Sequence, residues 1–476
     1  MIQLPQYYPV TSHTDHVGPD STFVAIAGTQ HDGITFIPQA LEQGATKIVV
    51  AHHAVIPEAT LQLITKKNAE LFRVDNPRRA LAYLSAEAAD WPARKLCILA
   101  VTGTKGKTTT SFLLEHIVKS AGYKTALLTT VRNSIDDTLF PTDLTTKQPD
   151  YVHQFLDTCV KNKIAIVVME VAAQAGSLHR TDGIEFDGFI FTNFSQEHGE
   201  FYCALEEYFD AKKALTAQLK PGRPLVLNGD DELVAYIGSH KPNALFFGYN
   251  EYQTAFISAE KDTNTVSGIS GKLLFDKVAY PFKAPALAGQ FNSYNIMAAA
   301  ALAYMIGLDP ETICSALETF KGVPGRMEKY LLPNKATAFI DYAHNPSSFE
   351  AILSTLSSLS KDLIVVFGCG GDRDSSKRPI MGAVAKKYAQ TVILTSDNPR
   401  SEDPQEITEE ILTGISQENR KHIMVELDRK KAIEKAYTLS KPNSIIALLG
   451  KGPDEYQIVK GVKTYFSERE ILQSLS

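Results

Sequence analysis

The sequence predicts an α/β protein of three successive domains. Apolar, strand-like runs alternate with helix-like segments over residues 92–325 and again over 326–476, and residues 1–91 carry a shorter pattern of the same kind. A chain of 476 residues also has room for about three domains of ordinary size. Because regular alternation of this kind is typical of parallel sheets covered by helices on both faces, we expect such a sheet in the second and third domains.

Composition and charge exclude several classes of protein. The chain is 44% hydrophobic and 21% charged with a net charge of −6, so nothing in its charge favours nucleic acid or an anionic membrane as a partner. The N-terminus lacks the basic and apolar regions of a secretory signal, and the longest apolar helix candidate, residues 296–308, is too short to span a bilayer. Five scattered cysteines argue against a disulfide framework. We expect a cytoplasmic protein that acts on small molecules.

The first domain, residues 1–91, is predicted to contain a strand at 22–26, a helix at 36–44 and a strand at 47–50. None of its residues forms a recognisable catalytic pattern. The dipeptide Trp91-Pro92 precedes the next strand and is typical of a short connector between domains.

The second domain contains the most informative stretch of the chain, Thr102 to Thr109. It follows an apolar strand and opens an amphipathic helix, which is the setting that a phosphate-binding loop requires. Backbone N–H groups of a turn built on Gly103 and Gly106 can converge on phosphate oxygens, Lys107 can add positive charge, and the Thr108 hydroxyl can bind Mg²⁺. We therefore predict an ATP site in a central phosphate-loop domain. The alternative is a glycine-rich turn without a ligand.

Six strands are predicted in this domain, and their carboxyl ends should meet at one sheet edge. One of them, the strongly apolar run 164–169, ends at Glu170, and a carboxylate at the end of a buried strand in the same sheet as a phosphate loop is a natural ligand for Mg²⁺. Alternatively, Glu170 merely begins a loop. The predicted strands are 96–101, 124–129, 164–170, 187–192, 223–227 and 243–247.

The third domain repeats the alternation without a phosphate loop, so a Rossmann-like α/β domain is expected. Polar and glycine-rich segments follow its strands, which indicates a second ligand surface at the sheet edge, although Asp397-Asn398-Pro399-Arg400 taken alone is more typical of a simple turn. The predicted strands are 336–341, 363–368, 391–396, 422–426 and 444–449.

Taken together, these motifs resemble the Mur ligases, the ATP-dependent enzymes that build the peptidoglycan stem peptide, and most of all their third-residue-adding branch. The resemblance covers nearly the whole chain, and it implies that residues 1–91 form a UDP-muramyl-binding domain, residues 92–325 the ATP-binding domain and residues 326–476 the amino-acid-binding domain. It is carried by the loop Gly103 to Thr109, Met169-Glu170-Val171, Asn292 to Asn295, Gly322 to Glu328, Asp341 to Pro346 and Val366 to Met381.

The resemblance implies residue roles for catalysis and ATP binding. Two Mg²⁺ ions would be held by Thr108, Glu170, His198 and Lys212, the last carbamylated by CO₂, with Lys213 as the alternative lysine. Lys107, Lys212, His198 and Glu170 would form the catalytic group. ATP would be bound by Gly103, Thr104, Lys105, Gly106, Lys107, Thr108, Thr109, Asn295, Arg326, Asp341 and His344.

The implied reaction forms an acyl phosphate on the carboxylate of a UDP-muramyl dipeptide, which the amine of an amino acid then attacks. The Asp-Asn-Pro-Arg segment favours meso-diaminopimelate over L-lysine, because a guanidinium can bind the extra amino-carboxylate group bidentately. The residues assigned to the amino acid are Arg378, Asp397, Asn398, Arg400, Gly450 and Asp454, with Glu455 as the alternative to Asp454. A monomer is expected.

Residues on the muramyl side depart from the family pattern. Ser12, Thr145, Thr146 and Arg180 are assigned to the UDP-muramyl substrate, but Ala172-Ala173-Gln174 replaces Ser-Ser-His, and lysine follows the two threonines where proline is usual. Two alternatives therefore stay open, a ligase that uses L-lysine and a ligase for a carboxylate outside peptidoglycan synthesis. A nucleotide-binding scaffold without activity is a third hypothesis, which the retained nucleotide and metal residues disfavour.

Overall fold

The computed structural model describes residues 2–28, 31–195, 201–202, 204–239, 241–249 and 255–475. The chain divides into two compact units, one of Met1–Ala259, Leu273–Tyr280 and Tyr294–Ala316, and one of Glu260–Lys272, Pro281–Ser293 and Leu317–Ser476. Each unit is described by itself.

The first unit begins with a parallel sheet of four strands in the order β1-β2-β3-β4. Its strands are β1 Val10–Thr11, β2 Thr22–Val24, β3 Lys47–Ala51 and β4 Glu70–Val74. Its helices are α1 Ile37–Glu42, α2 Glu58–Lys66 and α3 Pro77–Ala88, with short 3₁₀ turns at Thr14–His16 and Gly33–Phe36. The predicted strand–helix–strand pattern is present here, and β1, β4, α2 and α3 are additions to it.

The second sheet of this unit carries the phosphate-binding loop. From β12 to its far edge the strand order is β12-β11-β10-β5-β9-β6-β7-β8; the six strands from β12 to β6 are parallel, and β7 and β8 are antiparallel. The strands are β5 Cys97–Thr102, β6 Thr125–Leu128, β7 Asn133–Ile135, β8 Thr138–Phe140, β9 Ile166–Glu170, β10 Gly188–Phe191, β11 Leu225–Asn228 and β12 Ala244–Gly248. The helices are α4 Lys107–Ser120, α5 Pro149–Lys161, α6 Ala173–Ser177, α7 Leu205–Leu215 and α8 Glu232–Gly238, with 3₁₀ turns at Pro92–Lys95 and Thr216–Gln218.

All six strands predicted for this region are present with small shifts at their ends. They form because each is an apolar run with both faces covered: Ile98, Leu99, Val167, Val168 and Ile190 are each 0% exposed. The antiparallel pair β7 and β8 was not predicted, since strands of only three residues do not stand out from a loop.

The division between the two units passes through the next elements, the strands β13 Ala255–Thr265, β14 Gly268–Phe275 and β15 Val278–Ala284 and the helix α9 Gln290–Met305. Helix α10 is Pro310–Thr319. The apolar run of α9 is a core helix as predicted, with Ile296, Met297 and Leu302 fully buried. Within the described residues, no helix has both the length and the apolar character needed to cross a membrane.

The second unit is built on a six-stranded sheet in the order β16-β17-β21-β18-β19-β20, parallel except for β16. Its strands are β16 Glu328–Leu331, β17 Thr337–Asp341, β18 Leu363–Phe367, β19 Thr391–Leu394, β20 Ile423–Val425 and β21 Ile445–Leu449, and a hairpin follows with β22 Tyr456–Val459 and β23 Val462–Tyr465. The helices are α11 Pro346–Leu359, α12 Lys377–Tyr388, α13 Pro404–Thr413, α14 Arg429–Leu439 and α15 Glu468–Ser474, with a 3₁₀ segment at Gln417–His422.

Both faces of this sheet are buried, as the continuous apolar strands predict. Alternate residues of one strand enter different cores: Val365 packs with Phe339 on one face, whereas Val366 packs with Ile340 on the other. The five predicted strands are all present, and the hairpin β22–β23 is an addition that the sequence analysis missed.

Candidate active site

The phosphate-binding loop lies between β5 and α4. Gly103 has a φ of +142° and Gly106 a φ of +83°, backbone conformations that side-chain-bearing residues rarely adopt. A Cβ atom on Gly103 would also lie 2.0 Å from Thr192 Oγ1. The two glycines are therefore needed both for the turn and for its close approach to β10.

Lys107 and Asn193 fix the shape of this loop. Lys107 Nζ donates hydrogen bonds to the carbonyl oxygens of Gly103 at 3.0 Å and Thr104 at 2.9 Å. Asn193, just after β10, accepts from Thr104 N at its carbonyl oxygen and from Lys105 N at Oδ1, both at 2.9 Å. The sequence pointed to the end of β10 as a ligand edge without giving Asn193 a role, and its role here is to hold the loop.

Lys212 lies at the same loop. Its side chain is 1% exposed, and Nζ donates to Gly103 O at 2.7 Å and lies 4.8 Å from the ring centre of Tyr208. The neighbouring Lys213, the alternative lysine, is exposed. The geometry therefore brings Lys212 rather than Lys213 next to the loop where phosphate would bind.

Glu170 lies at the carboxyl end of β9 with an exposed fraction of 0%. Its Oε2 accepts hydrogen bonds from Thr130 N at 2.6 Å and Thr130 Oγ1 at 2.8 Å. The other carboxylate oxygen, Oε1, is buried and accepts no hydrogen bond from any residue that the structure describes. A buried carboxylate oxygen without a donor is costly unless a cation satisfies it, so this residue fits a Mg²⁺ ligand.

Other predicted metal ligands are only partly placed. Thr108 opens α4 and is 7% exposed, whereas His198 lies outside the described residues. Within the described part of the chain, three or more His, Cys, Asp or Glu side chains nowhere gather into a metal-binding cluster. Since Mg²⁺ usually takes only one or two carboxylates from the protein, a sparse set of this kind suits it.

Asn295, predicted to recognise adenine, lies beneath the phosphate loop. Its Oδ1 accepts from Thr110 Oγ1 at 3.2 Å, and a Cβ atom on Gly106 would lie 2.3 Å from the same oxygen. Asn295 is 4% exposed. In this structure it supports the loop, and its contact with adenine stays a prediction.

The residues assigned to the muramyl substrate fall into two groups within the first unit. Thr145, Thr146 and Arg180 lie near Glu170: Thr146 Oγ1 donates to Glu170 O at 3.1 Å, Arg180 Nη1 donates to Thr146 O at 2.9 Å, and Thr145 Oγ1 lies within hydrogen-bond distance of Thr130 Oγ1 at 2.9 Å. Ser12 lies apart from them, and its backbone N donates to Asp150 Oδ2 at 3.0 Å. The chain thus brings Thr145, Thr146 and Arg180 to the carboxyl end of β9.

In the second unit, Asp341 at the end of β17 holds the turn that contains Arg326. Its carboxylate accepts from Met327 N and Ala343 N, both at 2.8 Å. Burial raises the pKa of Asp341, while Arg326 and the two backbone N–H groups act in the opposite direction. The Arg326 guanidinium lies 4.9 Å from the ring centre of Tyr342, and His344 is exposed. Arg326, Asp341 and His344 therefore share one sheet edge.

The Asp-Asn-Pro-Arg segment follows β19 at this same edge. Arg400 has a φ of +52°, and its Nη1 donates to Gly371 O at 2.6 Å. A Cβ atom on Gly450 would lie 2.6 Å from Asp397 Oδ2, which explains the glycine at that position. Asp454 is half-buried, and this burial raises its pKa. Asp397, Asn398, Arg400, Gly450 and Asp454 are thus brought together as predicted from the sheet topology.

Arg378, predicted as a further contact of the amino acid, is 1% exposed. Its guanidinium donates to Glu402 Oε2 at 2.8 Å, to Glu410 Oε2 at 2.9 Å and to Gly370 O at 3.2 Å. In this arrangement Arg378 fixes the loop after β18, and a direct contact with ligand would require it to exchange carboxylate partners.

Comparison with known proteins identifies the family. The Mur ligase family catalytic domain matches residues 7–88, the Mur ligase middle domain residues 101–303, and the Mur ligase glutamate ligase domain residues 325–452. A UDP-N-acetylmuramoyl-L-alanyl-D-glutamate–2,6-diaminopimelate ligase of Thermosynechococcus vestitus is 38% identical over 95% of this chain and 89% of its own length. The enzyme of the same name from Cytophaga hutchinsonii is 34% identical over 96% of this chain and 91% of its own length.

Solved structures lead to the same result. A structure of a UDP-N-acetylmuramoyl-L-alanyl-D-glutamate–2,6-diaminopimelate ligase matches with a TM-score of 0.68 and 27% identity, covering 98% of this chain and 94% of that chain. The MurF ligase of Thermotoga maritima, solved in complex with ADP, shares the fold with a TM-score of 0.66 at 18% identity, covering 99% of this chain and 97% of that chain. With relatives above 30% identity along nearly its whole length, this chain belongs to the Mur ligase family of ATP-dependent amide-forming ligases.

Proposed function

We propose that this ligase adds meso-diaminopimelate to UDP-N-acetylmuramoyl-L-alanyl-D-glutamate, with ATP converted to ADP and phosphate, in the synthesis of the peptidoglycan precursor. The observation that carries the proposal is the near full-length similarity, at 38% identity, to a relative named for this reaction. The intact phosphate-binding loop, with Lys107 folded over two of its carbonyl oxygens, supports it.

ATP binding is assigned to the loop Gly103 to Thr109, with Asn295, Arg326, Asp341 and His344 as the proposed adenosine contacts. Lys107 would exchange the carbonyl oxygens of Gly103 and Thr104 for phosphate oxygens, since phosphate oxygens carry more negative charge than carbonyl oxygens. Its ammonium would then balance the charge that develops as the phosphoryl group moves to the substrate carboxylate.

Two Mg²⁺ ions are proposed, with Thr108, Glu170 and His198 among their ligands. Bound Mg²⁺ would neutralise phosphate charge and orient the reacting oxygens. Two observations support Glu170 as a Mg²⁺ ligand. Its buried Oε1 has no donor among the described residues, and Thr130 holds the other carboxylate oxygen in place.

A carbamate on Lys212 is proposed as a further metal ligand. Carbamylation replaces an ammonium by an anionic group with two oxygen atoms, which suits Mg²⁺. Support comes from the position of Lys212, which is buried against the phosphate loop while Lys213 is exposed.

For the muramyl substrate we propose contacts by Ser12, Thr145, Thr146 and Arg180. The amino acid is assigned to Arg378, Asp397, Asn398, Arg400, Gly450 and Asp454. A distal carboxylate, which meso-diaminopimelate has and L-lysine lacks, is matched by the guanidinium of Arg400. We further propose domains over 1–91, 92–325 and 326–476, a monomeric enzyme and a cytoplasmic location.

The test is ADP release with purified enzyme, ATP, Mg²⁺ and UDP-muramyl dipeptide, with meso-diaminopimelate or L-lysine as the amine. We expect turnover with meso-diaminopimelate and much less with L-lysine. Equal or better turnover with L-lysine overturns the choice of amino acid. No turnover with the muramyl dipeptide, but turnover with another carboxylate, would assign the enzyme to a different acceptor, which the replacement of Ser-Ser-His by Ala172-Ala173-Gln174 makes worth testing.

A further inference from the structure

Lys451 is a fully buried lysine next to the segment assigned to the amino acid. It follows Gly450 after β21 and is 0% exposed. Its Nζ donates to Tyr456 O at 2.6 Å and to Asn398 Oδ1 at 3.3 Å, and it lies 3.4 Å from Asp397 Oδ1. A buried ammonium is tolerated only when oxygen atoms surround it, so these three partners fix its position.

The contacts of Lys451 determine which way the Asn398 amide is turned. Asn398 Oδ1 accepts from Lys451 Nζ and also from Ile458 N, the latter at 2.9 Å. An ammonium and a backbone N–H can only donate, so the atom between them has to be the amide oxygen. The amide nitrogen is then on the other branch, and Asn398 can offer a ligand only hydrogen-bond donors.

The same ammonium also orients the carboxylate of Asp397. One oxygen, Oδ1, faces Lys451, and the other, Oδ2, faces the backbone of Gly450, where a Cβ atom would be 2.6 Å away. Gln457 Nε2 donates to Asp397 O at 2.8 Å and ties this residue to the hairpin β22–β23. Lys451 thus contacts the side chains of both Asp397 and Asn398, while the hairpin β22–β23 holds the Asn398 amide oxygen and the Asp397 backbone.

We propose that Lys451 is a positioning residue for the amino-acid substrate: it holds Asn398 with its amide nitrogen available to a distal carboxylate and Asp397 with its carboxylate available to a distal ammonium. An amino-carboxylate group presents this combination of acceptor and donor, whereas a plain ammonium presents only the donor. The proposal rests on the proposed function for the identity of the substrate, and on the contacts of Lys451 for the role of this residue.

The experiment replaces Lys451 by methionine, which keeps the length of the side chain and removes its charge. We expect the KM for meso-diaminopimelate to rise about tenfold or more, because hydrogen bonds to charged groups are lost, with little change in kcat or in the KM values for ATP and the muramyl dipeptide. Lys435→Met is the matched control, since Lys435 is an exposed lysine on α14. It should leave all three KM values unchanged.

A double-mutant cycle shows whether Lys451 acts through Asn398. If it does, Lys451→Met should raise the KM for meso-diaminopimelate much less in an Asn398→Ala background than in the wild type. Lys451→Gln, which keeps a neutral donor, should give an intermediate KM and also serves if the methionine variant folds poorly. Additive effects in the cycle, or a parallel rise of all three KM values, would overturn the proposal.

The wild-type enzyme in the same assay separates this proposal from the proposed function. Absence of turnover with meso-diaminopimelate counts against the proposed function alone. The same variants are then measured with the amino acid that does support turnover. The proposal for Lys451 requires that Lys451→Met raises the KM for that amino acid and not the KM values for ATP and the muramyl dipeptide.

Discussion

His153 gives a stability prediction whose size follows from the structure. It lies in α5, is 0% exposed, and burial lowers the pKa of its imidazole from 6.5 to about 4, although the backbone of Asp182 acts in the opposite direction. Below pH 6.5 the unfolded chain binds a proton at this residue while the folded chain does not. The contribution of His153 to the free energy of unfolding of the first unit should therefore be fully present above pH 6.5 and be lost as the pH decreases towards 4.

The magnitude is the difference between the two pKa values. From 6.5 to about 4 is about 2.5 pH units, and each unit corresponds to about 1.36 kcal/mol, so His153 should account for a loss of about 3 kcal/mol when the pH falls from 7 to 4. At pH 5 the part already lost should be about 2 kcal/mol. The variant His153→Leu, which cannot bind a proton, should lack this component.

The assay is urea unfolding at pH 7.5 and at pH 5, followed by the fluorescence of Trp91. Trp91 is the single tryptophan of the chain and belongs to the same unit as His153, so the signal reports that unit. His53→Gln, at an exposed position, is the matched control and should keep the wild-type pH dependence. If His153→Leu loses as much stability as the wild type between these pH values, the reasoning is refuted.

The other predictions concern the phosphate loop. Gly106→Ala should abolish most ATP turnover, because φ is +83° and the new Cβ atom would lie 2.3 Å from Asn295 Oδ1. The control Gly122→Ala, with a φ of +88° and open space around it, should lower the free energy of unfolding by only about 1 kcal/mol and leave activity unchanged. Equal activities of the two variants in an ADP-release assay would count against this prediction. Lys212→Ala should lower kcat at least about a hundredfold, as expected for loss of a charge that acts in the transition state, while the exposed Lys213→Ala stays near wild type. Full activity of Lys212→Ala would refute the carbamate. Glu170→Gln should raise the Mg²⁺ concentration needed for half-maximal activity, because a neutral amide is a weaker ligand than a carboxylate, and an unchanged Mg²⁺ dependence would remove Glu170 from the metal site.

Strands with both faces buried were predictable because nearly every residue in them is apolar. The predicted strands 363–368 and 444–449 are continuously apolar from Leu363 to Phe367 and from Ile445 to Leu449, and these stretches form β18 and β21 with both faces buried. The hairpin β22–β23 was not predicted; its strands are only four residues long, and all four residues of Val462–Tyr465 are exposed, so it adds no buried apolar run to the pattern. Its pairing depends on the turn at Lys460 and Gly461, both with positive φ, rather than on an apolar pattern.

The site residues that belong to a local sequence motif were predictable as well. The loop Gly103 to Thr109 was identified from local sequence, since a glycine turn between a strand and a helix is a local structure. The sheet topology then brought Glu170 and Lys212 to the same edge of the sheet as the loop. Whether Lys212 or Lys213 faces the loop could be settled only by the direction in which α7 packs.

The sequence by itself thus determined the parallel α/β architecture, the phosphate-binding loop and the family, because these depend on apolar runs and short motifs. The tertiary structure decided the surroundings of isolated polar groups: the Glu170 oxygen that has no donor among the described residues, the ion pairs of Arg378, and the contact of Lys451 with an asparagine 53 residues earlier in the chain. Such contacts join loops that follow different strands, and only the order of those strands in the folded sheet brings the loops together.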